Sequence, residues 1–380
     1  MLIERRTPCC GEHRLPDGLP PLLERIYLNR GIDSGEQLDL ALGKLLRTEA
    51  LGGMQTATAL LWQAIEEERR ILVVGDFDAD GATSSALAIR ALRAMGARDI
   101  HYLVPNRFDF GYGLTAPLVE VARELDPWLI ITVDNGISST EGVATARELG
   151  IQVLVTDHHL PPEELPAAHA IVNPNLQDDA FPSKALAGVG VIFYVMAALR
   201  SRLRELGWFQ SRGIAEPNLA EYLDLVALGT VADVVPLDHN NRILVQNGLQ
   251  RIRSGHCCAG IRALLEVSGR DLETVTSSDL GFFAGPRLNA AGRLEDMSVG
   301  IECLLTDDPQ VARELAMQLD SLNRQRREIE STMKEQAMAA LEPLQLASET
   351  LPAGICLFDD SWHQGVVGIV ASRVKERYHR

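Results

Sequence analysis

Three aspartates alternate at Asp76, Asp78 and Asp80 in the stretch ILVVGDFDADGATSSAL, directly after an apolar run. Asp134 closes a second apolar run, WLIITV, and Asp157, His158 and His159 close a third, IQVLVT. Asp233 follows a fourth, LVALGTVA. A lone aspartate behind a strand is ordinarily a turn former or a helix N-cap, and Asp80 ahead of GATSS fits that use. Four acidic ends in one chain, joined by an adjacent histidine pair, ask for more than turn chemistry. Carboxylates brought together repel strongly unless a cation neutralises them. Mixed Asp and His ligands suit Mn²⁺ or Mg²⁺ better than a thiolate-loving metal. Two such ions sharing a bridging carboxylate activate water and stabilise the leaving oxygen in phosphoester hydrolysis.

These side chains converge only if the apolar runs are parallel strands whose carboxyl ends share one edge of a sheet. The pattern from residue 71 predicts this. ILVV, HYLV, WLIITV, IQVLVT and HAIV are near-continuously apolar and alternate with helical stretches such as TSSALAIRALRAMG and STEGVATARELG. The expected fold class is α/β, a mostly parallel sheet with flanking helices, and ligands in such sheets bind beyond the strand ends. Residues 1–70 read as a helical region, 71–305 as the catalytic core, 306–347 as a long connecting helix, and 348–380 as the start of a second α/β domain. That last stretch is too short to be a complete domain, so the expectation is a truncated chain.

Composition bounds the rest. The chain has 380 residues, 46% of them hydrophobic and 23% charged, as in an ordinary globular protein. No run of about 18 uncharged apolar residues predicts a membrane span, and the first residues lack the apolar centre of a secretory signal. The cytoplasm is the expected location. The six cysteines, two of the pairs adjacent, show no C-x-x-C spacing, which argues for free thiols rather than zinc or disulfides. A net charge of -16 argues against nucleic acid coating the whole surface, but not against a local basic groove.

GDFDADG, TVDNGIS, VTDHH and LGTVADVVPL occur in this order and resemble the four motifs of the DHH phosphoesterase superfamily. GPRLNAAGR and WHQGVVGIVASR narrow the resemblance to the superfamily's bacterial exonucleases that digest single-stranded DNA from 5′ to 3′. It runs over about residues 20–380. It implies Asp78, Asp80, Asp134, His158 and Asp233 as ligands of two ions, Mn²⁺ or Mg²⁺, with Asp134 bridging and Asp76 a further ligand or neighbour. It implies that Asp157 and His159 orient the site or touch the scissile phosphate. Many members carry a His where this chain has Val74, a gap that Asp76 is placed to fill. It further implies a role in DNA repair and recombination, a monomer, and single-stranded-DNA-binding protein and a helicase as partners. The DHHA1 and OB-like domains of such enzymes would continue past Arg380, so this chain alone is expected to bind DNA weakly.

Three segments suit a DNA strand. In PNRFDFGYGLT, Arg107 could pair with a phosphate and Tyr112 stack on a base, though a plain surface loop reads as well. In GPRLNAAGR, Arg287, Asn289 and Arg293 surround small residues that let a backbone approach. In WHQGVVGIVASR, which resembles the DHHA1 nucleic-acid motif, His363, Gly365 and Arg373 stand at a helix suited to grip a 5′ end, although its glycines would also serve tight packing. RQRRE on the long helix reads as a solvated face. A hydrolase of short oligoribonucleotides or cyclic dinucleotides is the alternative, and a scaffold without ligands is disfavoured because every acidic position is filled.

Overall fold

The computed structural model describes residues 13–347 and 354–378. Its sheet has five strands, β1 (Ile71–Gly75), β2 (Ile100–Leu103), β3 (Leu129–Val133), β4 (Gln152–Thr156) and β5 (Ala170–Val172), in the order β2-β1-β3-β4-β5. All pairings are parallel. Strands this rich in Val, Ile and Leu bury both faces, and each face has its own layer. Val73, Leu129, Ile131 and Leu154 pack toward α2 (Met54–Glu66) and α3 (Ala79–Ala94). Leu72, Val74, Ile130, Val153 and Val155 pack toward α4 (Ala116–Arg123) and α5 (Thr140–Glu148). Gly75 pairs with Val133, and Val133 with Thr156, so β1, β3 and β4 end level. The residues that come next are Asp76, Asp134 and Asp157. The strand order reverses between β1 and β3, where an open sheet leaves a crevice for ligands.

A run of helices follows the sheet. They are α6 (Gly188–Glu205), α7 (Trp208–Arg212), α8 (Leu223–Ala232), α9 (His239–Arg253), α10 (Ala259–Val267), α11 (Ser277–Asp279), α12 (Gly285–Leu294) and α13 (Ser298–Leu305). Leu223 to Thr230 of α8 are buried all round, which suits a helix inside the core and brings Asp233 to the site from a helix end rather than a strand end. The 39-residue α14 (Pro309–Ala347) packs on α10, α12, α13 and α15 (Gln364–Tyr378).

Three expectations need correcting. Among the described residues, the region before α2 holds one regular α-helix, α1 (Pro21–Asn29), and three short 3₁₀ turns, because stretches this short do not sustain a helix by propensity alone. Among the described residues ICLFDD forms no strand, so of the expected α/β segment only the helix α15 is seen. Arg287, expected to hold a phosphate, is only 8% exposed. Its Nη2 and Nε lie 2.7 and 3.0 Å from Asp320 Oδ1 on α14, and its Nη1 donates to Phe283 O at 2.7 Å. It therefore fastens α12 to α14. Cys9 and Cys10 lie outside the described residues, and the other four cysteines are free.

The buried ion pair makes a prediction. Asp320→Ala strands a guanidinium in the core and should destabilise the protein by about 3–5 kcal/mol. Arg287→Met should cost less, because Asp320 keeps Arg324 as a partner. Urea unfolding of both variants checks the order.

Candidate metal centre

Each carboxylate has its own support. Asp78 caps α3, its Oδ1 accepting from Gly81 N at 2.9 Å. Asp80 lies in the first turn of that helix, where its oxygens accept from Gly188 N at 2.6 Å and Val189 N at 2.9 Å at the start of α6. Asp134 has φ 63°, a left-handed conformation that Asp tolerates better than most residues. Asp157 accepts from His158 N, His159 N, Ile137 N and His159 Nδ1, the last at 2.7 Å. Two glycines wall the centre. A Cβ on Gly188 would sit 2.6 Å from Asp134 Oδ1, and one on Gly229 2.7 Å from Asp80 Oδ1.

The histidines join these groups. His158 Nε2 lies 3.1 Å from Asp134 Oδ1, 3.6 Å from Asp233 Oδ2 and 4.0 Å from Asp80 Oδ2. Three groupings have ligand atoms close enough for one ion: Asp76, Asp78 and Asp134; Asp80, His158 and Asp233; and Asp134, His158 and His159. Asp134 belongs to two of them, the geometry of a bridge. Val74 is buried in the layer under α4, and Asp76 lies in one of these groupings.

Electrostatics set the protonation of the cluster. Burial, with Asp78 nearby, pushes the Asp76 carboxyl up to about 7. Burial and Asp78 do the same to Asp233, also to about 7. Asp80 and Asp134 are pushed well above the carboxylate range by burial and by neighbouring aspartates. Burial lowers His158 to about 4, which keeps the imidazole neutral and able to ligate. Burial alone would raise Asp157, but its hydrogen bond from His159 holds it below the usual range, and the same bond raises His159. Asp134 Oδ1 and His158 Nε2 are buried without a hydrogen-bond partner. Buried polar atoms are rarely left so, and these two lie 3.1 Å apart where the ligand groupings meet. The donor set fits a hard divalent cation.

The expected substrate groups divide. Arg107 stacks over Phe77, 4.0 Å from the ring centroid, near Asp76 and Asp78. Tyr112 sets its hydroxyl 3.4 Å from Asp134 O and its ring edge-on to His159. Arg293 is partly buried near Arg107 and donates to Gly365 O at 3.1 Å. His363 sits edge-on to Phe108 and accepts from Gly365 N. Arg373 binds Glu330 of α14 at 3.3 Å. Asn289 instead accepts from Ala79 N at 2.7 Å and so holds the first motif's loop. Gly365 is a close-packing position, because a Cβ there would lie 2.1 Å from Arg293 O.

Sequence reading missed some supports. Asn173 and Asn175, just past β5, donate to His159 O and His158 O. NPN carries no chemical signal of its own, and only its place behind a strand at the same edge hints at more. Arg326, set aside with the solvated RQRRE, is half-buried between Glu330 and Asn323 and close to Arg293 and Arg373.

Residues 70–230 match the model of the DHH family, N-terminal domain. The chain is 61% identical over 376 residues to the single-stranded-DNA-specific exonuclease RecJ of Dickeya dadantii, covering 99% of this chain and 65% of that protein. It is 58% identical to the Escherichia coli RecJ, covering 96% of this chain and 63% of that one. The chain thus spans less than two thirds of these relatives. A crystal structure of exonuclease RecJ bound to manganese superposes with a TM-score of 0.75 at 38% identity, over 87% of this chain and 79% of that one. With 36% identity and a TM-score of 0.76, a Thermus thermophilus RecJ in complex with Mn²⁺ covers 93% of this chain and 48% of its own. Motif order, level strand ends and these likenesses agree, and the chain belongs to the RecJ family of DHH phosphoesterases.

Proposed function

We propose that this chain carries the hydrolytic centre of an exonuclease that removes 5′-mononucleotides from single-stranded DNA, with Mn²⁺ or Mg²⁺ as its ions. The observation that carries the reading is the unpartnered pair Asp134 Oδ1 and His158 Nε2, buried where three ligand groupings overlap. Relatives named as single-stranded-DNA-specific exonucleases and neighbours bound to Mn²⁺ and Mg²⁺ support the substrate and the ions.

In this reading Asp76, Asp78 and Asp134 hold one ion, and Asp80, His158, Asp233 and Asp134 the other. When bound, such a pair activates water and stabilises the departing oxygen of a phosphodiester. The chain's own residues place the substrate. Asp157 fixes His159 through Nδ1, leaving Nε2 to meet a phosphate oxygen, and its raised pKa favours the donating form. Arg107, Arg293 and Arg373 hold backbone phosphates, Tyr112 stacks on a base, and His363 lines the approach. The proposal takes residues 71–305 as the core, 306–347 as the connecting helix and 348–380 as the edge of a DHHA1-like domain. A monomer and a cytoplasmic location belong to the proposal, while a single-stranded-DNA-binding protein and a helicase rest on family resemblance alone.

A single strand labelled at its 5′ end, with Mn²⁺, tests this reading. It should release labelled mononucleotide from the first time point, a matching duplex should resist, and Asp80→Ala should lower the rate at least ~100-fold, as loss of an ion-holding group does. Internal cuts, or faster hydrolysis of a dinucleotide than of a long strand, would favour the alternative.

Stability should depend on pH and metal together. The folded pKa values of Asp76 and Asp233, about 7, lie above the unfolded value near 4. Their contribution is full below about pH 4 and is lost as pH rises through 7. His158 works the other way, its lowered pKa contributing stability above about 6.5 that falls away toward pH 4. Between pH 6.5 and 8 the carboxyls dominate. The EDTA-treated protein should therefore melt lower at pH 8 than at pH 6.5, and Mn²⁺ should raise Tm more at pH 8. Differential scanning calorimetry measures both.

A further inference from the structure

Val234 follows Asp233 at the position where a helix is commonly ended by glycine in a left-handed conformation. Its φ is 63°, and its N–H donates to Val231 O at 3.3 Å as α8 closes. A β-branched residue is a genuine outlier there. Among the described residues, the other non-glycine positive φ values belong to Glu68, Asp126 and Asp134, none of them β-branched. Burial does not offset the strain, because Val234 is 83% exposed. A residue held in strain without packing in return points to a use outside the fold.

Its place suggests which use. Asp233 Oδ2 lies 3.6 Å from His158 Nε2, so Val234 is one residue from the centre. Leu160 follows His159 and is 80% exposed. Val234 and Leu160 are thus exposed aliphatic residues, each one position along the chain from a residue of the centre, Asp233 and His159. Arginines already answer a strand's phosphates. What remains of a nucleotide at this depth is sugar and base, whose faces are largely apolar and alike in every sequence.

We propose that Val234, assisted by Leu160, is a strand-contact residue that packs on the sugar and base next to the scissile phosphate. It gives a sequence-independent grip and is kept at the expense of helix-end stability. This rests on the function proposed above.

Val234→Gly and Val234→Asn test it, since both residues accept a left-handed backbone and neither presents an isopropyl group. Two quantities are compared with the parent protein: Tm, and Kd for a fluorescent single strand with Ca²⁺ present, together with KM for its digestion with Mn²⁺. Expected are a Tm higher by roughly 2 °C and strand Kd and KM raised ~5- to 10-fold, with kcat changing less than KM. A higher Tm with unchanged Kd would overturn the inference, because the valine would then be strained without touching the strand. A lower Tm in both variants would also overturn it, because the side chain would then serve the fold or seat another protein segment. If the parent protein digests no strand, the proposed function fails, while the Kd comparison still decides the contact.

Discussion

Repulsion among buried carboxylates is the constraint on which the rest of this structure turns. Asp80 and Asp134 are almost fully removed from water, Asp76 nearly so, and Asp233 is partly buried. At such depth each charge raises the proton affinity of the next. The fold tolerates the cluster because backbone dipoles reach it first. The opening N–H groups of α6 hold Asp80, the first turn of α3 answers Asp78, and four donors hold Asp157. Asp134 Oδ1 and His158 Nε2 receive no such help. That asymmetry separates groups that the protein satisfies from groups it leaves for cations.

The architecture follows from bringing those groups to one place. Level parallel strands deliver three acidic ends to one edge, and the reversal of strand order opens a gap above them. The fourth group cannot come from the sheet, so α8 crosses the core to deliver Asp233. Gly188 and Gly229 are small because helices must press against carboxylates there. Beyond the centre, Arg287 and Asp320 fix α12 to α14, and Glu330 ties Arg373 of α15 to the same helix. The cationic side of the cleft is thereby braced by a single long helix.

Much of this was legible in the sequence because local rules agreed with global ones. Apolar runs ending in Asp marked both the sheet and the edge where the acidic residues gather, and the four motifs carried those residues in order. The failures have physical causes. Arg287 looked like a phosphate ligand because sequence does not show that an acid, Asp320, waits more than thirty residues away on another helix. Asn289 and Gly365 stood in the right motifs but serve backbone positions, Ala79 N and the close approach to Arg293 O. GEQLDLALGKLL, within the stretch expected to be helical, has helical spacing, yet it forms short turns that set Leu45 and Leu46 against the core. The supports from Asn173 and Asn175 were invisible because they depend on where β5 joins the sheet.

Titration of the metal-free protein with Mn²⁺ by calorimetry, in buffers of different ionisation enthalpy at pH 6.5, tests the central claim most directly. The account predicts two ions per chain and release of protons as they bind, because the cations displace protons that Asp76 and Asp233 hold with pKa values of about 7. Binding of fewer than two ions, or binding without proton release, would contradict the view that this cluster is built around cations.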